Sequence, residues 1–163
     1  MEFWQTLVAT VVGGAITLTA TVLANNYQKK READKRKLEK VERAYILLTQ
    51  IQHSYRMTCA TDVASLNSGK YETQYRVNEK IPFEELEMLV GFYAKQLKKD
   101  VEELISYSRS EYGKLSSIII DIESGQVDDI DNLKNELVAT FNEINKKTSA
   151  LQARLVSIGY DYI

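Results

Sequence analysis

Residues 38–66 read LEKVERAYILLTQIQHSYRMTCATDVASL. The apolar positions Leu38, Val41, Tyr45, Leu48, Ile51, Tyr55, Cys59, Val63 and Leu66 step by three or four, averaging 3.5. That spacing gathers them on one face of a helix and would scatter them over both faces of a strand. The pattern runs on from the N-terminal side without Gly or Pro until Asn67-Ser68-Gly69.

Two more stretches repeat the pattern. After Pro82, Leu86, Val90, Tyr93, Leu97, Val101, Leu104, Ser108, Tyr112, Leu115, Ile119 and Ile122 recur at a mean of 3.6, and Ser124-Gly125 ends the run. Pro suits a first helical turn, and Glu84, Glu85 and Glu87 suit its positive end. After Asp128-Asp129-Ile130-Asp131, the stripe is Ile130, Leu133, Leu137, Phe141, Ile144, Thr148, Leu151, Leu155 and Ile158, with Gly159 as the expected stop. Between the first two runs, Tyr71, Thr73, Tyr75 and Val77 alternate like a strand, but a lone strand has nothing to pair with, so residues 67–81 read as loop. The periods imply near-straight helices packed at shallow angles. The expected fold is therefore all-α, with helices about 26–66, 82–124 and 129–158 packed up-down-up as an antiparallel three-helix bundle or coiled coil. The same helices could also assemble between chains.

Towards the N-terminus, residues 29–40 (KKREADKRKLEK) hold seven Lys/Arg and three Asp/Glu, a local balance of +4. Before them, Phe3–Ala24 reads FWQTLVATVVGGAITLTATVLA, 22 residues without a charge. As a helix this is roughly 33 Å long, enough for a hydrocarbon core of about 30 Å. Trp4 and Tyr27 flank it at interfacial positions. A cleaved signal peptide would want a basic start and a shorter apolar stretch, and a buried soluble helix would show a polar stripe. The reading is one transmembrane helix, with the positive flank holding the C-terminal part in the cytoplasm and the N-terminus outside. The expected organisation is residues 1–25 as anchor, 26–40 as basic juxtamembrane stalk and 41–163 as cytoplasmic helical bundle, at the cell (inner) membrane.

The span carries Ala9, Gly13, Thr17 and Thr21 at intervals of four, a small-residue face on which two backbones can approach closely. Thr hydroxyls can equally bond to their own helix. Lys29, Lys30, Arg31, Lys35, Arg36 and Lys37 lie where anionic headgroups attract cations, and the absence of interleaved aromatics argues against base stacking. A net charge of −2 likewise gives no pull towards nucleic acid. Of ten tyrosines, Tyr45, Tyr55, Tyr93 and Tyr112 fall on or beside the apolar stripes. Tyr71, Tyr75, Tyr160 and Tyr162 lie in loop or tail, where they could anchor a partner or pack on the bundle's ends.

Catalytic chemistry has little to work with. One Cys and one His among 163 residues exclude a Cys/His zinc site and an internal disulfide. His53 has Thr49, Gln50, Arg56 and Met57 as helix neighbours, none a carboxylate that would orient a general base. Cys59 lies about 240° around the helix from it. Counting from Asp128, a calcium loop would need Gly at 133 and Glu at 139, where the chain has Leu133 and Ala139. No phosphate-loop, dinucleotide or nucleophile-elbow motif occurs. The sequence thus predicts no enzyme, cofactor, metal, nucleic-acid partner or small-molecule substrate. It predicts a membrane-anchored interaction or scaffold protein that contacts lipid and self-associates or recruits another membrane-complex protein. The alternative is a small effector whose oligomerised spans perturb the bilayer.

Overall fold

The computed structural model describes residues 2–71, 81–120 and 129–162, with side chains of the first segment described from Thr19 onward apart from Ala20. All regular structure among them is helical: α1 (Glu2–Ser68), α2 (Phe83–Tyr93), α3 (Lys98–Tyr107), α4 (Gly113–Ile120) and α5 (Ile130–Tyr160). A 3₁₀ turn, Lys95–Leu97, joins α2 to α3, and a π turn, Ser108–Tyr112, joins α3 to α4. Ser108 and Gly113 keep right-handed helical angles, so α3, the π turn and α4 form one rod.

The ends of the helices follow local chemistry. Gly69 takes φ +66° just after α1, the left-handed conformation that costs a side-chain-free residue little. Asp129 caps α5 by accepting a hydrogen bond from the Asn132 N–H at 2.9 Å. Pro82 stands at the N-cap of α2, its carbonyl accepting from Leu86 N–H at 3.2 Å.

The helical bundle is present, but its expected three-helix form is corrected to four antiparallel rods. Residues 82–124 are not one helix. At Ala94 the backbone leaves helical angles (φ −141°, ψ 51°) and reverses through the 3₁₀ turn. Phe83 on α2 then lies under Arg109 of the π turn, with 5.8 Å from guanidinium to ring centre. The physical reason is length. An unbroken helix of 43 residues would run about 65 Å, against about 46 Å for the 31-residue α5, leaving apolar stripe uncovered at one end. The hairpin instead lays α2 and the α3–α4 rod side by side, with Phe83, Leu86, Leu89, Val90, Ala94, Leu97, Val101 and Leu104 all buried.

Cross-links between rods fix their directions. Gln152 donates to Thr49 Oγ1 at 2.9 Å, Gln52 donates to Asn145 and Ser149, and Gly159 sits against Leu38, so α5 runs antiparallel to α1. Arg154 meets Asp100, and Lys147 lies 5.6 Å over the Tyr107 ring, so α3 runs antiparallel to α5. Arg43 grips Glu85 of α2 through two bonds of 2.8 and 3.0 Å and holds that carboxyl below the usual carboxylate range. The core is one cluster spanning all rods, with Leu47, Leu48, Ile51, Leu86, Leu104, Leu137 and Ile144 among its fully buried side chains.

Gly159 does not stop α5. The helix continues to Tyr160, and Gly159 is buried where an added Cβ would meet Leu38 Cδ1 at 3.4 Å. Gly159 thus lies inside the helix rather than at its stop, and a Cβ there would make ordinary van der Waals contact with Leu38. At the other end, α1 reaches beyond the bundle: nearly every described side chain from 21 to 37 is exposed.

Among the described residues no helix is long and apolar enough to cross a membrane. The uncharged stretch 3–24 falls largely on residues 3–18 and 20, whose side chains lie outside that description. Ile122, Asp128 and the alternating segment beyond Tyr71 lie outside the described residues as well.

Candidate interaction surfaces

Antiparallel packing of α5 on α1 returns the C-terminal tail to the root of the exposed stalk. Two features that are remote in sequence meet there. Lys37 Nζ lies 5.3 Å from the centre of the Tyr162 ring, a cation–π distance. Tyr162 is half-buried, whereas Tyr160 beside it is 71% exposed. Tyr71 is half-buried against the core, and Tyr75 lies outside the described residues.

The six stalk cations Lys29, Lys30, Arg31, Lys35, Arg36 and Lys37 are all exposed. Arg36 pairs with Glu32 at 3.7 Å and Lys37 with Asp34 at 3.5 Å, one turn apart on the same helix. Exposed pairs of this kind contribute little to stability. Of the small-residue face, Thr21 is exposed, while the side chains of Ala9 and Thr17 lie outside the description.

One surface was not foreseen. Between α1 and α5, beside the stalk root, an apolar groove of about 500 Å³ is lined by Leu38, Val41, Tyr45, Ile46, Leu155 and Val156 together with Glu42, Gly159 and Tyr160. Tyr45, Ile46 and Val156 are 40, 48 and 46% exposed. Tyr45 is therefore not the core packing residue its stripe position suggests. The sequence does carry a signal for this groove. Tyr45-Ile46-Leu47-Leu48 is four apolar residues in a row, more than one buried helix face can absorb. Leu47 and Leu48 take the core, leaving the first two outside.

A second unforeseen feature is buried. Asp62 is fully buried and accepts a hydrogen bond from the Tyr112 hydroxyl at 2.9 Å. Tyr55 packs edge-on against Tyr112, with ring centres 5.1 Å apart at 74°. Asp62 stands three residues after Cys59 and four before Leu66, so it occupies a stripe position that apolar bias hands to Val63. Val63 is only half-buried. Cys59 is buried, and burial together with the nearby Asp62 carboxylate pushes its thiol from the ordinary 9.0 up to about 11. Such a thiol stays protonated and is a poor nucleophile at neutral pH.

The sign of the resulting pH effect is definite. The folded state holds the Cys59 proton more tightly than the unfolded chain, so this contribution is whole below pH 9 and is lost as pH rises towards about 11. Cys59→Ala should accordingly flatten the alkaline fall of the melting temperature over that window. An unchanged alkaline slope would count against the assignment.

His53 is exposed and lines a polar hollow with Thr49, Gln52, Arg56, Phe141 and Asn145. No group of three or more His, Cys, Asp or Glu among the described residues is placed to hold a metal ion. Comparison with protein-family models, with curated proteins and with solved structures finds no match.

Proposed function

We propose that this chain is a single-pass, membrane-anchored helical interaction protein that displays its bundle at the cytoplasmic face and there self-associates or recruits partners. The observation that carries the reading is the run from an uncharged 22-residue stretch into a stalk of balance +4, along a helix that continues from Glu2 to Ser68. An uncharged stretch of that length suits a bilayer core, and the basic flank suits retention on the cytoplasmic side. The exposed stalk keeps the bundle clear of the lipid and presents six cations to anionic headgroups. The apolar groove and exposed Tyr160 supply contact surface of the kind that interfaces use.

The test is a pair of fusions after Ile163. A reporter active only in the cytoplasm should work, and one active only outside should be silent. The opposite pattern overturns the orientation. Release of the full chain from membranes by an alkaline wash overturns the anchor.

A further inference from the structure

We propose that the polar hollow between the middle of α1 and the middle of α5 binds a small organic phosphate, held through its phosphate by Arg56, His53 and Asn145 and covered by Phe141. The site goes beyond the anchored reading; only the choice of a dissolved phosphate over a lipid one draws on it. Hydrogen bonding, charge and size support it separately.

The hydrogen bonds within the hollow leave it rich in donors. Its lining is Thr49, Gln52, His53, Arg56, Phe141 and Asn145. The Thr49 hydroxyl is satisfied, donating to the Tyr45 carbonyl at 3.2 Å and accepting from Gln152 at 2.9 Å. The NH₂ of Gln52 donates to Asn145 Oδ1 and to Ser149 Oγ. That contact occupies the oxygen of Asn145 and leaves its own NH₂ to donate elsewhere. Among the described residues, neither Arg56 nor His53 has a hydrogen-bond or ion-pair partner. A guanidinium, an imidazole N–H and an amide NH₂ thus stand ready together, and phosphate oxygens accept from all three.

No carboxylate answers these donors. Residues 43–61 of α1 contain neither Asp nor Glu. Residues 137–160 of α5 contain only Glu143, which lies 3.7 Å from Lys146 and 4.0 Å from Lys147. The other arginines on these two stretches reach across to further rods, Arg43 to Glu85 and Arg154 to Asp100. Arg56 is the one without a partner. A guanidinium offers an oxyanion two parallel N–H groups, and His53 stands one helical turn before it on the same face.

Size and wall favour an organic phosphate over the bare ion. The hollow holds about 420 Å³, within the range of about 300–1,000 Å³ usual for small-molecule sites. Half-buried Phe141 gives it an apolar side that a flat group can cover. Residue 53 lies 28 residues past residue 25, about 42 Å along the helix. On the anchored reading the hollow therefore stands clear of the lipid headgroups, and its ligand is dissolved. Spacing along the chain does not reveal the site, because Gln52 and Asn145 are 93 residues apart.

The experiment titrates the full chain in neutral detergent with phenyl phosphate, adenosine 5′-monophosphate and inorganic phosphate, followed by calorimetry. The two organic phosphates should bind with Kd of about 1 mM or below, and inorganic phosphate about ten-fold more weakly. Asn145→Asp keeps the oxygen that accepts from Gln52 but sets a carboxylate among the donors. It should weaken binding by about ten-fold or more at an unchanged melting temperature. Asn135→Asp, exposed elsewhere on α5, should change affinity by no more than about two-fold. Arg56→Gln should also lose about ten-fold, and Lys98→Gln, which removes an exposed cation from α3, no more than about two-fold. Equal weakening by the two aspartates, or by the two glutamines, overturns the site, since net charge alone would then draw the anion. Failure of both organic phosphates to bind at about 10 mM overturns it as well. Inorganic phosphate binding as tightly as the other two overturns the organic ligand. In lipid nanodiscs, affinity for adenosine 5′-monophosphate should be the same with and without phosphatidylglycerol; competition by that lipid overturns the dissolved ligand.

Discussion

Leu104→Asp is expected to lower the melting temperature by about 10 °C or more, with Leu137→Asp close behind. Both leucines are fully buried, one on α3 and one on α5. A carboxylate at either place has no cation within the apolar cluster and must either stay charged without solvent or take up a proton at a cost in free energy. Cavity and desolvation together amount to about 4 kcal/mol or more, a large share of the roughly 5–15 kcal/mol that holds a domain together. Val138 follows Leu137 directly but is 42% exposed, so Val138→Asp should change stability by no more than about 0.5 kcal/mol. Thermal unfolding followed by circular dichroism separates these cases. If Leu104→Asp melts with wild type, the helix faces described above are wrong.

Tyr112→Phe is expected to cost about 1–3 kcal/mol without disturbing the packing around it. The variant keeps the ring that stacks edge-on against Tyr55 and removes only the hydroxyl that donates to Asp62 Oδ2. That carboxylate is fully buried, so a lost donor there is far more costly than one at the surface. Combining Tyr112→Phe with Asp62→Asn should cost less than the two single changes added together, because the second removes the charge that the hydroxyl serves. Strict additivity in denaturant unfolding would show that the two groups do not act as a pair.

The helical class and the buried faces were legible because both depend on neighbours three and four residues apart. Val90, Leu97, Val101, Leu104, Tyr112, Leu115 and Ile119 all lie on the second stripe as read from spacing alone, and all are buried. Periodicity failed where it continues through a change of direction. Ala94 and Leu97 keep the 3.6-residue rhythm across the reversal because both are buried at the turn itself. Neither Gly nor Pro marks the place. Apolar bias also misplaced positions on α1: it chose Tyr45, which is 40% exposed, and it chose Val63 over Asp62, since a carboxylate on a core face can be recognised only once its donor is known. That donor comes from a π turn 50 residues away.

The amino-acid sequence by itself determined the helices, their apolar faces, the cap at Asp129 and the left-handed end at Gly69, each a matter of local spacing or of one residue's backbone freedom. Only the tertiary structure decided that the middle segment folds back on itself, that Gly159 lies buried against α1, and that the tail returns to the stalk root. It alone brought Tyr45 and Ile46 beside Val156 into one groove. The physical reason is that a helix needs only its own neighbours to form, whereas the place where it turns is set by the length and shape of the surfaces it must cover.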